Sequence, residues 1–380
     1  MNKSDYLGGL ISRERLEKNW SQEGLCKGIC SVSYLSKIES GKAEASEEIL
    51  SLLFAKLGID YSPEKEEKAA AIVTEAKEKL FTGEFDSLRE FLSEEVRKSL
   101  VFTSSALEME LIFACVDEEH SPMPAEMEKS MNREALALQR ILQQRYEEAI
   151  ALLPNAFSFY NAGADAYSKG EYSSAMEYLS SAYNNAAADG SPKLMLLCKL
   201  FLSACCANCQ DMAAMEKHNK AARRLALALG AHDALEEMDY NSAATALECG
   251  QYERAYSYFS ALKYPNIMSL HKLAIACEKT GRGEEALLAL DKAKQERCEY
   301  PPKDLADDMC HLVRLRVENK NYVNLKEYGE KLIEVFNRCR NELSMGYALF
   351  HLPWVVEWYK AGRQYKKAIE ILENFPRMAL

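Results

Sequence analysis

A short phrase returns along most of this chain: a turn, then an aromatic or other large residue, two polar positions and an alanine, followed by a run at helical spacing. It is clearest within residues 159–182, FYNAGADAYSKGEYSSAMEYLSSA, and it recurs in GQYERAYSYF (Gly250 to Phe259), GRGEEALLAL (Gly281 to Leu290) and RQYKKAIEIL (Arg363 to Leu372). Fainter copies read GEFDSLREFL, RYEEAIALL, QDMAAMEKH and NKNYVNLKEY. With Phe85, Tyr146, Tyr172, Met212, Tyr252, Gly283, Tyr322 and Tyr365 as equivalent positions, the intervals are 61, 26, 40, 40, 31, 39 and 43 residues. Repetition at such intervals belongs to chains that stack one small unit on the next, because a single unit cannot bury its apolar face alone. The unit here reads as a helical hairpin. With 48% hydrophobic residues and only 10 prolines in 380, an all-α chain with a sizeable core is expected. The register fails between 96 and 145, around SPMP, where one hairpin that has lost the signature fits.

The stretch 159–182 resembles the tetratricopeptide (TPR) consensus. Phe159, Gly163, Ala166, Gly170, Tyr172, Ala175, Leu179 and Ala182 occupy its positions, small where paired helices approach and larger where the seam is filled. The resemblance implies a TPR-like α-solenoid whose first helices line a concave surface. On that geometry the inward positions are Tyr160, Asn161, Ala164 and Tyr167, then Leu200, Phe201, Ala204 and Asn208, then Tyr240, Asn241, Ala244 and Glu248. The last repeats add His271, Lys272, Ile275, Lys279, His311, Arg314 and Trp354. Amides, apolar side chains and bases sharing one groove suit an extended peptide, since Asn can donate to and accept from a main chain while apolar pockets choose its side chains. The candidate peptide-binding residues are Tyr160, Asn161, Tyr167, Phe201, Asn208, Tyr240, Asn241, Lys272, Lys279, His311 and Arg314. Against each stands a plainer reading, because helix-interior Asn is often solvated and Tyr or Trp at a hairpin seam is usually core.

The first 61 residues follow a different plan of short helices, each announced by a cap. Leu7, Leu10, Ile11, Arg15 and Lys18 fall at helical spacing. Ser21 precedes a short helix, Gly28 to Cys30 form a turn, Ser31 caps VSYLSKIES with Leu35 and Ile38 inward, Gly41 ends it, and Ser46 caps a fourth helix. The text SQEGLCKGICSVSYLSKIESGK resembles the phage-repressor (XRE-type) helix-turn-helix, through Gln22, Leu25, Leu35 and the run Ile38-Glu39-Ser40-Gly41. In that family the second helix of the pair enters the major groove of double-stranded DNA. Val32, Ser33, Ser36 and Lys37 lie opposite Leu35 and Ile38 and become the candidate base readers, with Tyr34 on the edge of that face. The resemblance gives Gln22 a phosphate contact, and it has Arg15 and Glu39 brace one helix against another.

Charge is consistent with a local DNA contact. The chain carries −11 overall, which argues against coating nucleic acid indiscriminately. Residues 1–43 hold seven basic and five acidic side chains, a net of +2. Ser62 and Pro63 open a new helix, so the expected domains are 1–61, helix-turn-helix, and 62–380, helical repeats, with EKEEK (64–68) as a solvated first turn. The opening MNKSDYLGG has no apolar run and no stretch approaches a membrane span, so a cytoplasmic protein is expected. Twelve scattered cysteines read as reduced residues, and the single CxxC pair, Cys206 and Cys209, lacks a second pair to make a zinc site. Histidines at 120, 218, 232, 271, 311 and 351 form no HExxH, and there is neither a phosphate loop nor a GxSxG elbow. No catalytic residue, metal or cofactor is expected.

The order of an XRE-type domain followed by TPR hairpins resembles the RRNPP group of peptide-pheromone receptors, the PlcR-, Rgg- and NprR-like regulators. The resemblance implies a homodimeric transcription regulator with a DNA operator and a short signalling peptide as partners, inward Asn residues clamping the peptide's backbone. A second reading keeps the DNA binding but makes the repeats a docking surface for another protein.

Overall fold

The computed structural model describes residues 3–116, 123, 125–343 and 345–373, and no strand occurs among them. A helix-turn-helix is followed by helical repeats. The chain divides into two compact units, Met1–Ala162 with Ser181–Leu194, and Gly163–Ser180 with Met195–Leu380.

The first unit opens with α1 (Lys3–Glu17), α2 (Gln22–Cys26), α3 (Val32–Glu39) and α4 (Glu47–Leu57). The hydroxyls of Ser21, Ser31 and Ser46 accept from the backbone N–H groups of Gly24, Tyr34 and Ile49, satisfying donors that a helix start leaves open. Leu7, Leu10, Ile11, Leu25, Leu35, Ile38, Leu53 and Phe54 form one core, which also takes in Ile59 and Tyr61 after α4. Tyr61 stacks on Phe54 with ring centroids 4.7 Å apart. A Cβ on Gly8 would lie 2.0 Å from the carbonyl oxygen of Ile38. α1 therefore crosses the end of α3 at a distance only glycine permits.

The unit continues with α5 (Pro63–Thr82), α6 (Phe85–Phe91), α7 (Glu94–Leu100), α8 (Ala106–Val116), α9 (Arg133–Leu142) and α10 (Tyr146–Leu152), around a second core of Ala69, Val73, Leu80, Leu88, Leu111, Ile112 and Leu138. Its first turn corrects one expectation. Glu66 within EKEEK is not solvated: it is 5% exposed, and its carboxylate accepts from the Ser104 backbone N–H at 3.1 Å and from the Ser104 hydroxyl. Burying a carboxylate requires such donors, and they come from 38 residues away in sequence. α7 and α8, which pack on each other, occupy the first part of the interval where the repeat register fails. Of SPMP, only Met123 is among the described residues, and His120 also lies outside them.

Further on come α11 (Ala156–Ser168), α12 (Tyr172–Ala188), α13 (Pro192–Asn208), α14 (Met212–Leu229), α15 (His232–Glu248), α16 (Tyr252–Ser260), α17 (Ile267–Lys279), α18 (Gly283–Ala293), α19 (Lys303–Glu318), α20 (Lys326–Glu342), α21 (Met345–Ala361) and α22 (Tyr365–Glu373). Seven of the eight equivalent positions open a helix: α6, α10, α12, α14, α16, α18 and α22 each start there. Tyr322 departs from the pattern. It opens a 3-10 turn and α20 begins only at Lys326, because the Tyr322 ring is drawn against the Arg316 guanidinium, 4.7 Å away, and against Tyr328. In the second unit a Cβ on Gly163 would come within 2.6 Å of Leu179 Cγ, so the consensus glycine permits the close approach of its helix to Leu179.

The largest core of the second unit runs from Ala243 to Val355. At its centre every residue of α17 from Ile267 to Cys277 except Leu273 is buried, polar ones included. α16, α18 and α19 pack around it. Among the described residues no helix is long and apolar enough to cross a membrane.

Candidate functional site

Two places gather candidate residues, one in each unit. In the first, α3 presents Val32, Ser33, Ser36 and Lys37 to solvent while Leu35 and Ile38 are buried. Helical spacing makes that division, since residues 35 and 38 share a face and the others fall opposite. Tyr34 is half-buried, and its hydroxyl donates to the Glu44 carbonyl at 2.9 Å. That bond ties the first turn of α3 to the segment before α4. Gln22 is also half-buried, with its side-chain amide donating to Glu39 Oε2 at 2.8 Å.

Behind this face lies a closed ion pair. Arg15 Nε and Nη2 meet the two Glu39 carboxylate oxygens at 2.6 and 2.9 Å, and Nη1 donates to the Trp20 carbonyl at 2.8 Å. The side chains are 9% and 6% exposed. Burial pushes the Glu39 carboxyl up, but hydrogen bonds from Arg15 and Gln22 and the charge of the guanidinium outweigh it and hold the group below the usual carboxylate range. A bidentate, nearly inaccessible guanidinium that also donates to a backbone carbonyl has the geometry expected of a brace between helices.

In the second unit, a cavity of about 430 Å³ opens among α11, α13, α15, α17 and α21, within the range usual for small-ligand sites. It brings together Tyr167, Phe201, Asn208, Tyr240, Asn241 and Lys272, with Leu200, Ala204, Ala244, Glu248 and His271 between them. Tyr167 and Phe201 meet edge to face at 5.3 Å. Asn208 Nδ2 donates to both the Ala204 carbonyl (3.0 Å) and the Tyr167 hydroxyl (3.2 Å), which leaves its carbonyl oxygen as the group to offer a ligand. Asn241 is exposed and makes only a 3.5 Å contact to Glu237.

Five of the candidate peptide-binding residues are not among those lining the cavity. Tyr160 and Asn161 belong to the first unit, where Tyr160 packs on Phe85 and Asn161 Nδ2 donates to the Phe157 carbonyl at 2.8 Å. Lys279 ends α17 beside Glu278 at 3.9 Å, two turns beyond Lys272. His311 and Arg314 on α19 face acids, Glu327 at 3.3 Å and Asp291 at 2.5 Å. The repeat period placed all five on inward helices; ion pairs engage Lys279, His311 and Arg314, while Tyr160 and Asn161 make their contacts within the first unit.

Other lining residues were missed. α21 supplies Gly346, Tyr347, Phe350 and His351, and α14 supplies Met215 and Asn219. Asn219 is buried and fully engaged, accepting from Ser203 Oγ at 2.7 Å and donating to Ser242 Oγ at 3.1 Å. The deepest wall is polar. Lys272 is 9% exposed, with its ammonium over the Phe350 ring at 4.3 Å. His271 is wholly buried, its ring facing the Met309 backbone in a poorly formed hydrogen bond, and His351 is left with an unpartnered Nε2. Burial lowers all three pKa values, that of His351 to about 4, so both imidazoles are neutral at pH 7.

Residues 11–62 match the family model described as Helix-turn-helix. The N-terminal segment is a helix-turn-helix domain. No curated protein matches the chain. Among solved structures, it is similar to the crystal structure of Bacillus thuringiensis PlcR in complex with the peptide PapR7 and DNA, at 16% identity, over 96% of this chain and 98% of that one, with a TM-score of 0.21.

Proposed function

We propose that this protein is a sequence-specific transcription regulator whose helical repeats bind a short signalling peptide and mediate dimerisation. The observation that carries the reading is the pairing of a helix-turn-helix, with an exposed and chemically mixed face on α3, with a half-open cavity of about 430 Å³ in the repeats. Val32 suits a thymine methyl group, Ser33 and Ser36 bond to either donors or acceptors, and Lys37 donates to guanine or phosphate. A dimer would set two such helices against half-sites about one helical turn, or a multiple, apart. The cavity combines aromatic walls with amide and charged groups, the mixture that fixes an extended main chain while choosing its side chains. A cavity of this volume favours a small ligand over a second folded protein, which is the alternative use of these helices.

Electrophoretic mobility shift with the native upstream DNA tests the first half. Lys37→Ala and Ser33→Ala should each weaken specific binding by about 1–3 kcal/mol with helical content unchanged. Wild-type affinity in both variants would remove α3 from the groove. Mass spectrometry of material copurified from the native host tests the second half, and recovery of a folded partner protein in place of a peptide would move the reading to the docking alternative.

A further inference from the structure

We propose that the inner wall of the cavity recognises a free carboxylate, held by Lys272, on a ligand whose remaining body is apolar. This rests on the cavity being the ligand site of the preceding section and names the chemistry it selects.

A buried cation is costly unless paired, and three other enclosed cations of this unit are paired. Arg316, with a side chain of zero exposure, meets Glu278 at 3.1 Å. Lys331 meets Asp308 at 3.1 Å, and Arg314 meets Asp291. Lys272 is different. It sits on the most thoroughly buried helix of the unit, and among the described residues no acidic side chain comes within 4.0 Å of it. Its contact is the face of Phe350, which offsets only part of the lost hydration. Glu248 lines the same cavity but acts on Lys272 only at longer range. The enclosure holds the Glu248 carboxyl up and the Lys272 ammonium down, each only partly relieved by the other.

The neighbouring groups extend the argument. His351 Nδ1 lies 2.9 Å from the Tyr347 carbonyl, so that nitrogen carries the proton and Nε2 keeps an unused lone pair. His271, neutral, turns its N–H toward the Met309 backbone carbonyl and keeps one unused lone pair. A cation and spare acceptors in one wall match a peptide's last residue, which offers a carboxylate beside a main-chain N–H. Phe201, Tyr240 and Met268 along the walls suit apolar side chains before it.

The test uses full-length protein and two pools of short N-acetylated peptides built from Ala, Val, Leu, Ile and Phe, one with free C-termini and one amidated, with decanoate in a separate arm. Retained molecules are counted by mass spectrometry. Free-acid peptides should be retained on the order of 30-fold more strongly than amides. Lys272→Met, which keeps the length and apolar stem, should abolish the difference, and Lys272→Arg should keep part of it. Circular dichroism checks that both variants are folded. Equal retention of the two pools, or an undiminished preference in Lys272→Met, overturns the proposal. Lys272-dependent retention of decanoate without any peptide would uphold the carboxylate site and remove the peptide ligand. No retention in any arm overturns both.

Discussion

The helix-turn-helix and the cavity both bury a cation, and they treat it in opposite ways. Arg15 has a matched acid with two short contacts, a backbone carbonyl on its third nitrogen, and Gln22 sharing the acid. Lys272 has an aromatic face and, among the described residues, no acid within 4.0 Å, with Glu248 acting only from farther off. The first arrangement is complete within the chain and holds α1, α2 and α3 in one geometry. The second has unmet electrostatic demand at a place where a ligand could enter. A closed pair therefore marks scaffold, and an open one marks a surface that something else completes.

The comparison breaks first at Glu39. Glu39→Ala strands a nearly inaccessible guanidinium, and thermal or denaturant unfolding of the N-terminal domain should show a loss of about 3–5 kcal/mol. The pH dependence carries the same sign. Because folding holds this carboxyl below its ordinary range, the pair contributes fully above the unfolded value of about 4.3 and is lost as pH falls through the lowered folded value. Glu39→Gln should flatten that acid limb. Unchanged stability in Glu39→Ala would free Arg15 to contact DNA.

Lys272→Met should move stability the other way. Replacing an unpaired buried cation with an apolar side chain of similar length is expected to stabilise the ligand-free protein by about 1 kcal/mol or more. Since the Lys272 ammonium is held below its ordinary range, unfolding takes up a proton between the folded value and about 10.4, and wild-type stability rises with pH across that window. The Met variant should lack this rise. A destabilised Met variant would mean that Glu248 or Phe350 satisfies Lys272 in the free protein, and the contrast with Arg15 would disappear. The smallest effect separates two asparagines. Asn241→Ala should weaken peptide binding by about 0.5–1.5 kcal/mol in calorimetry, the worth of one hydrogen bond, while Asn161→Ala should leave it unchanged. The reverse order would return the clamp to Asn161.

What was legible in the sequence follows the range of the interactions. Caps act over three residues, so Ser21, Ser31 and Ser46 could be read directly, and the face of α3 follows from the spacing of Leu35 and Ile38. The repeat phrase placed the helix starts because the residue after each turn is fixed by local geometry. Half of the cavity wall came from the same periodicity, through Tyr167, Phe201, Tyr240 and Lys272. The other half did not. α21 has no repeat signature and contains Pro353, yet it brings Phe350 and His351 to residues some 80 positions earlier. Glu66 and Tyr322 were misread for the same reason, since Ser104 and Arg316 decide their conformations and neither is a sequence neighbour in any periodic sense.

The near-complete burial of α17 has a further consequence, visible in time. A segment with almost no solvent-facing side remains protected from amide exchange until its packing partners separate. α22 is its opposite, anchored through buried Ala368 with Tyr365, Ile369 and Leu372 facing outward. Deuterium should therefore enter α22 within its own fraying equilibrium and reach α17 only when the second unit opens as a whole. The helix that carries Lys272 thus behaves as a clock for global opening, and any ligand that engages it must slow that clock for the entire unit.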